Sequence, residues 1–168
     1  MMEYISSDTN VWIDFHAIDR IKLPFCLPYT YIMNNDAILD EILSPVGLAD
    51  ELVKCGLVGV EITAEEFDLA EEYGTLYPRL SVYDRIALAI AKVERIVLLT
   101  GDAALRKAAN NENVAILGTL GLLDLLIDGE YITEREYENC LQELLKHNGK
   151  QVRLPESEIR LRLERCKG

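Results

Sequence analysis

Along the chain, short apolar runs of the kind that fill a buried strand alternate with segments whose apolar positions recur at helical spacing. Residues 3–7 read as a first strand ending at Asp8, and a helix is expected from about Asn10 to Ala17. A second β-rich run, Tyr29 to Met33, ends in the turn-like Asn34-Asn35-Asp36. The next segment predicts a helix with Ile38, Leu39, Ile42 and Leu43 on one face. Pro45 and Gly47 interrupt it; Leu48, Leu52 and Cys55 then continue the helical spacing until Gly56 supplies a stop.

Residues 57–62, LVGVEI, predict a third strand. Thr63 with Glu66 three residues later has the form of a capping box, opening a helix with Phe67, Ala70 and Tyr73 inward. SVYDRIALAIAKV reads as a helix rich in Ala and Ile and so largely buried, and residues 96–100, IVLLT, as a fourth strand. DAALRKAA predicts a short helix, VAIL at 114–117 a fifth strand, and LLDLLI another helix. Beyond Gly129, Thr133 opens a helix that places Tyr137, Leu141, Leu144 and Leu145 inward. Residues 159–164, IRLRLE, fit helix or strand periodicity, and Pro155 at a first helical position tilts the reading to helix. Strands alternating with helices in this way predict an α/β fold, a mostly parallel sheet of about five strands covered on both faces.

With 168 residues the chain is long enough for one domain with a full core, and 49% apolar residues exclude wholesale disorder. The start, MMEYISSDTN, has no basic stretch leading into an apolar one, and the apolar run Ile86 to Ala91 is far below membrane-spanning length. The expected compartment is the cytoplasm, with no membrane partner. Cys26, Cys55, Cys140 and Cys166 form no CxxC pair, and reduced, mostly buried thiols are expected. His16 and His147 have no partner at zinc spacing.

The net charge of −12 argues against a generic nucleic-acid binder, which carries a basic footprint. Its distribution changes that judgement: residues 146–168 carry +4 and the rest of the chain −16. An acidic body with a basic end suits a cation site plus a separate anion- or partner-contacting surface; a solvated charged tail accounts for the same pattern.

In open α/β sheets, ligands sit beyond the carboxyl ends of strands where strand order reverses. Asp8 ends the first strand and Asp102 follows the fourth through Thr100 and Gly101. Asp84 begins a buried helix, and a further acid lies on AILDEIL. Singly, Asp8, Asp84 and Asp102 each read as a helix cap, Asp84 through a Ser81-x-x-Asp84 box. Together they would repel unless a cation intervened, and oxygen-only ligands suit Mg²⁺ or Mn²⁺ rather than zinc.

Asp8-Thr9-Asn10-Val11-Trp12-Ile13-Asp14 resembles the first motif of PIN-domain nucleases. Leu80 to Asp84, followed by Ile86-Ala87-Leu88-Ala89, is similar to their third motif, and Leu98 to Asp102, followed by Leu105-Arg106, to their fourth. With Gly118 to Leu123, the order and spacing resemble a prokaryotic branch related to VapC-type toxins. The resemblance implies a PIN-like three-layer α/β/α domain over 1–128, with 129–168 a C-terminal helical extension packed on or beside it. It implies hydrolysis of RNA phosphodiester bonds by one or two Mg²⁺ or Mn²⁺ ions on Asp8, Glu41, Asp84 and Asp102, and a toxin's partners, an antitoxin protein and a second copy of the chain. The family's second acid matches Glu41 through Ile38-Leu39-Asp40-Glu41, but helical geometry leaves Asp40 as an alternative. Thr100 and Asn10 stand in supporting positions; Thr100 either orients a carboxylate or water or caps a helix. Asp14 reads as a solvated helix residue, with a supporting role in the first motif as the other option.

Two other classes remain in view. A PIN-fold binding or scaffold protein without turnover would also suit an acidic surface. A haloacid-dehalogenase-like phosphatase would carry Asp-x-Asp after the first strand, whereas position 10 is Asn and no suitably placed Lys is evident.

Overall fold

The computed structural model describes residues 3–43 and 45–167. Five strands, β1 (Glu3–Ser7), β2 (Tyr29–Asn34), β3 (Val58–Val60), β4 (Val97–Leu99) and β5 (Ile116–Leu117), pair in parallel in the order β3-β2-β1-β4-β5. The intervening helices are α1 (Thr9–Ala17), α2 (Asn35–Glu41), α3 (Leu48–Cys55), α4 (Ala64–Leu76), α5 (Val82–Glu94), α6 (Ala103–Asn111) and α7 (Thr119–Asp128). α8 (Glu134–His147) and α9 (Glu156–Lys167) follow.

Side chains alternate across a strand, so neighbouring residues feed opposite layers. Leu98 packs in a core with Ala70, Tyr73 and Leu88 from α4 and α5 and Leu105 from α6. Its neighbour Leu99 joins Val11, Trp12 and Phe15 of α1, Leu52 of α3 and Leu122 of α7. The result is the expected α/β/α arrangement around an all-parallel sheet. Tyr137, Cys140, Leu141 and Leu144 of α8, with Val152 and Ile159, enter the same core as α1. Trp12 anchors this layer, stacking on Phe25 at 5.2 Å and meeting Tyr31 edge-on at 5.1 Å.

Several local expectations change. α2 ends at Glu41 and Ile42 leaves helical geometry, so Ile38 and Ile42 are buried while Leu39 and Leu43 face solvent. Phe67, in the first turn of α4, is exposed, and only Ala70 and Tyr73 of that face are buried. LVGVEI shortens to three strand residues, because only Val58–Val60 finds a partner in β2. All four cysteines are free but only Cys140 is buried. Gly56 ends α3 at φ +129, a conformation a side chain resists. Among the described residues no helix is long and apolar enough to cross a membrane.

Candidate functional site

β1 lies between β2 and β4, so the chain runs from β1 to one side of the sheet and later returns on the other. The crevice beyond the carboxyl ends of β1 and β4 is therefore the switch point at which such sheets hold ligands. Asp8 leaves β1 there, its backbone N–H donating to the Leu99 carbonyl at 2.9 Å. One carboxylate oxygen, Oδ1, accepts from Thr9 N–H and caps α1; the other accepts from Thr100 Oγ1 at 2.9 Å. Thr100, fully buried, also accepts from Asp102 N–H at 3.1 Å, so one hydroxyl links the acids that follow two neighbouring strands. The cap of α6 is Asp102, which accepts from Leu105 N–H through Oδ2. Thr100 thus orients a carboxylate and leaves the capping to its neighbour.

Asp84 arrives from α5. Ser81 and Asp84 form a reciprocal capping box, Asp84 Oδ2 accepting from Ser81 N–H. One turn further on, Ser6 Oγ of β1 donates to the Ala87 carbonyl at 2.9 Å, which pins this helix to the strand that ends in Asp8. Buried Ala87 and Ala91 leave no bulk to hold the helix off. Glu41 ends α2, whose start is fixed by Asn34, the last residue of β2, accepting from Asp36 and Ala37 N–H. Glu41 Oε1 accepts from the Thr9 hydroxyl at 3.4 Å.

The capping roles anticipated for the three aspartates are therefore all present, and they occupy one oxygen each. Oδ1 of Asp84 and Oδ1 of Asp102 accept no hydrogen bond among the described residues. Capping orients these side chains and leaves the second oxygen for other chemistry.

The acids sense one another. Burial, then the nearby charge of Asp84 and more weakly that of Glu41, push the Asp8 carboxyl up to about 7 against its hydrogen bonds from Thr100 and Thr9. Glu41 is raised by burial and by Asp84, and Asp84 by burial and by Asp102. None of the four forms an ion pair with Lys, Arg or His among the described residues. Arg85 acts on Asp84, and its influence is the smallest of those acting on that group among the described residues. Asp40 differs: it is exposed and accepts a hydrogen bond from the Tyr83 hydroxyl, while Glu41 faces Thr9, is raised by Asp84 and in turn raises Asp8. The arrangement brings Glu41, not Asp40, to the other acids.

This donor set fits a hard divalent cation, being carboxylate oxygen without thiolate or imidazole. Among the described residues no group of three or more His, Cys, Asp or Glu is arranged to hold an ion as a cage. Mg²⁺ does not require one, because it keeps several waters and takes one or two carboxylates.

Asp14, read from sequence as solvated, is buried, and its Oδ2 accepts from Thr119 Oγ1 at 2.7 Å. The signal was its position three residues after Val11, on the apolar face of α1. Asn10 is exposed and lines a cavity of about 460 Å³ with Asp14, Asp102 and Arg153. A larger cavity, about 680 Å³, lies at the opposite end of the sheet between Lys92, Arg95 and Asn113, away from every one of these acids.

A family model described as DUF3368, PIN domain, matches residues 4–167. No curated protein and no solved structure matches the chain.

Proposed function

This chain belongs to the DUF3368 family of PIN domains, a nuclease-type fold, and we propose that it is a divalent-metal-dependent endoribonuclease hydrolysing RNA phosphodiester bonds at Asp8, Glu41, Asp84 and Asp102. The observation that carries this reading is the convergence of four acids from distant positions at the sheet's switch point, with no ion pair among the described residues to balance them. Such a cluster is costly by itself and becomes favourable around a cation.

In hydrolysis, water adds to phosphorus, one ester P–O bond breaks, and the proton lost by water is matched by one gained at the leaving oxygen. A bound Mg²⁺ or Mn²⁺ supplies activation of water and neutralisation of charge on the phosphate. The free oxygens of Asp84 and Asp102 and the carboxylate of Glu41 would hold the ion or its waters. Asp8, fixed by Thr9 and Thr100, would complete the negative field. Thr100 positions Asp8, and Asn10 lies at the solvent edge beside Asp102. No side-chain nucleophile is required.

Asp84→Asn should reduce Mg²⁺- or Mn²⁺-dependent cleavage of single-stranded RNA to background. Its fold should survive, because Asn still accepts at the capping box and caps of this kind are worth only about 1 kcal/mol. Glu41→Gln should behave like Asp84→Asn, whereas Asp40→Asn should retain cleavage. Full activity in the Asp84 variant overturns the assignment.

The likeness of the motifs to the VapC-related branch supports a cytoplasmic toxin of a toxin–antitoxin pair, acting as a homodimer restrained by an antitoxin. A neighbouring reading frame encoding a small DNA-binding protein with a tail is the observation that tests this. The acidic character of the chain, −12 overall, suits a second reading, a PIN-fold binding or scaffold protein without turnover. Titration separates the two: failure to bind Mg²⁺ or Mn²⁺ at millimolar concentration selects the scaffold.

A further inference from the structure

The segment between α8 and α9 has no counterpart in the acidic cluster, yet it is built with care. Asn148 and Val152 form an isolated parallel bridge, and Gly149, at φ +87, turns the chain so that its N–H reaches the Val152 carbonyl at 2.8 Å. The Asn148 side chain clamps Leu154 from both sides, Nδ2 donating to its carbonyl at 3.0 Å and Oδ1 accepting its N–H at 2.9 Å. Val152 is completely buried and Leu154 partly so, while the exposed Gln151 and Arg153 face outward.

Outward here means into the cavity beside the candidate site. Gln151 and Arg153 line it with Asn10 and Asp14 of α1 and with Asp102. A second cavity of about 480 Å³ shares Gly101 and Leu154 with the first and extends along Arg106, Gly118 and Pro155. The two cavities adjoin at these shared residues, a pair we call the trough. Its charges are divided: Asp14 and Asp102 lie at the acidic end, and Glu158 in the second half is engaged by Arg162 at 3.1 Å. Arg160 is likewise paired with Glu156. Arg153 and Arg106 are exposed and make no ion pair among the described residues.

We infer that this trough is the binding track for single-stranded RNA leading from the acidic cluster, with Arg153 and Arg106 contacting its phosphates. The inference rests on the ribonuclease reading for the identity of the strand and deepens it. In an acidic protein, two unpaired arginines in a groove are where a polyanion finds attraction, and a single strand can follow a groove that tracks its backbone. Arginine suits the role, since its planar fork matches phosphate geometry.

The test is fluorescence anisotropy of a labelled short oligouridine with the full chain, free of divalent ions and over a series of salt concentrations. Arg153→Glu should weaken binding by about tenfold or more and lower the slope of log K against log salt by about one. Arg106→Glu should do likewise, and Arg153→Lys should keep most of the affinity. Lys107→Glu, the same charge change on α6 at a residue outside both cavities, should have little effect. In cleavage assays Arg153→Glu should raise KM and leave kcat within about twofold, the signature of lost ground-state binding. Equal losses in the Arg153 and Lys107 variants, an unchanged Arg153 variant, or no oligouridine binding by the unaltered protein would each overturn the track. If the unaltered protein binds without cleaving and Arg153→Glu abolishes binding, the track stands and the nuclease reading fails. Cleavage with an unaffected Arg153→Glu variant gives the converse.

Discussion

Asp8 concentrates the tension of the site in one side chain. Its carboxyl is pushed up to about 7, first by burial and then by Asp84, and buried Asp14 is pushed up to about 6 by burial alone, against its bond from Thr119. In the unfolded chain both titrate near the ordinary carboxylate value of about 4. Between that value and the raised ones the folded protein therefore holds more protons than the unfolded chain, and stability falls as pH rises. The penalty is absent below about pH 4 and complete above about pH 7. We expect the metal-free protein to melt several degrees lower at pH 8 than at pH 5. Millimolar Mg²⁺ should restore most of that difference at pH 8 and do little at pH 5, where a bound ion competes with protons. Asp8→Asn should shrink both dependences, leaving in the pH dependence the part that belongs to Asp14 and to the general self-repulsion of a chain at −12. Thermal unfolding followed by circular dichroism reads all of this. An equal Mg²⁺ shift at both pH values would show that the ion does not neutralise the cluster.

At the scale of elements, what the sequence displayed well was whatever local chemistry encodes. Capping boxes at Thr63 and Ser81, the stop at Gly56 and the run IVLLT lie where the pattern put them, because each depends on neighbours within a few residues. What escaped was set by distant partners. Leu39 shares a helical face with Ile42 only while the helix continues, and α2 ends at Glu41. Asp14 is buried because Thr119, 105 residues later, supplies a hydroxyl. Periodicity left Asp40 and Glu41 equivalent; Tyr83 engages the first and Thr9 the second, contacts that no helical wheel contains. Strand-end placement of Asp8 and Asp102 was legible; their link through Thr100 was not. The contact of α5 with β1 belongs to the same class and can be tested. Ala87→Leu should force the helix off Ser6 at a cost of about 1–3 kcal/mol and carry Asp84 away from Asp8. Ala87→Gly should cost a similar amount, about 1 kcal/mol, through helix propensity while keeping the close approach. Urea denaturation and cleavage at saturating RNA then diverge: the Leu variant should lose activity far beyond its loss of stability, and the Gly variant should not. Parallel losses in both would mean that α5 docking does not set the site.

Over the whole molecule, the C-terminal helices join the chemistry to the core. Tyr137, Cys140, Leu141, Leu144, Val152 and Ile159 are all buried, most of them completely, against the layer that contains α1 and Trp12. Arg20 is tied to Glu136 at 2.7 Å, and Arg162 of α9 reaches Asp124 of α7 at 2.8 Å, so polar contacts run across the same boundary. At roughly 1.5–3 kcal/mol for each fully buried side chain, removing these residues forfeits on the order of 10 kcal/mol. Domains of this kind are stable by only about 5–15 kcal/mol in total. A fragment ending at Asp128 should therefore give no cooperative unfolding transition, whereas the full chain should. A sharp melt in the fragment would instead mark residues 129–168 as an appendage. This packing is the reason for expecting residues 129–168 to be needed for folding. It also decides how the basic end can be studied: the loop bearing Arg153 sits between two helices that complete the core, so deletion would remove the fold along with the charge. Single charge substitutions at Arg153 and Arg106 isolate the electrostatics of the trough and leave the packing of α8 and α9 intact.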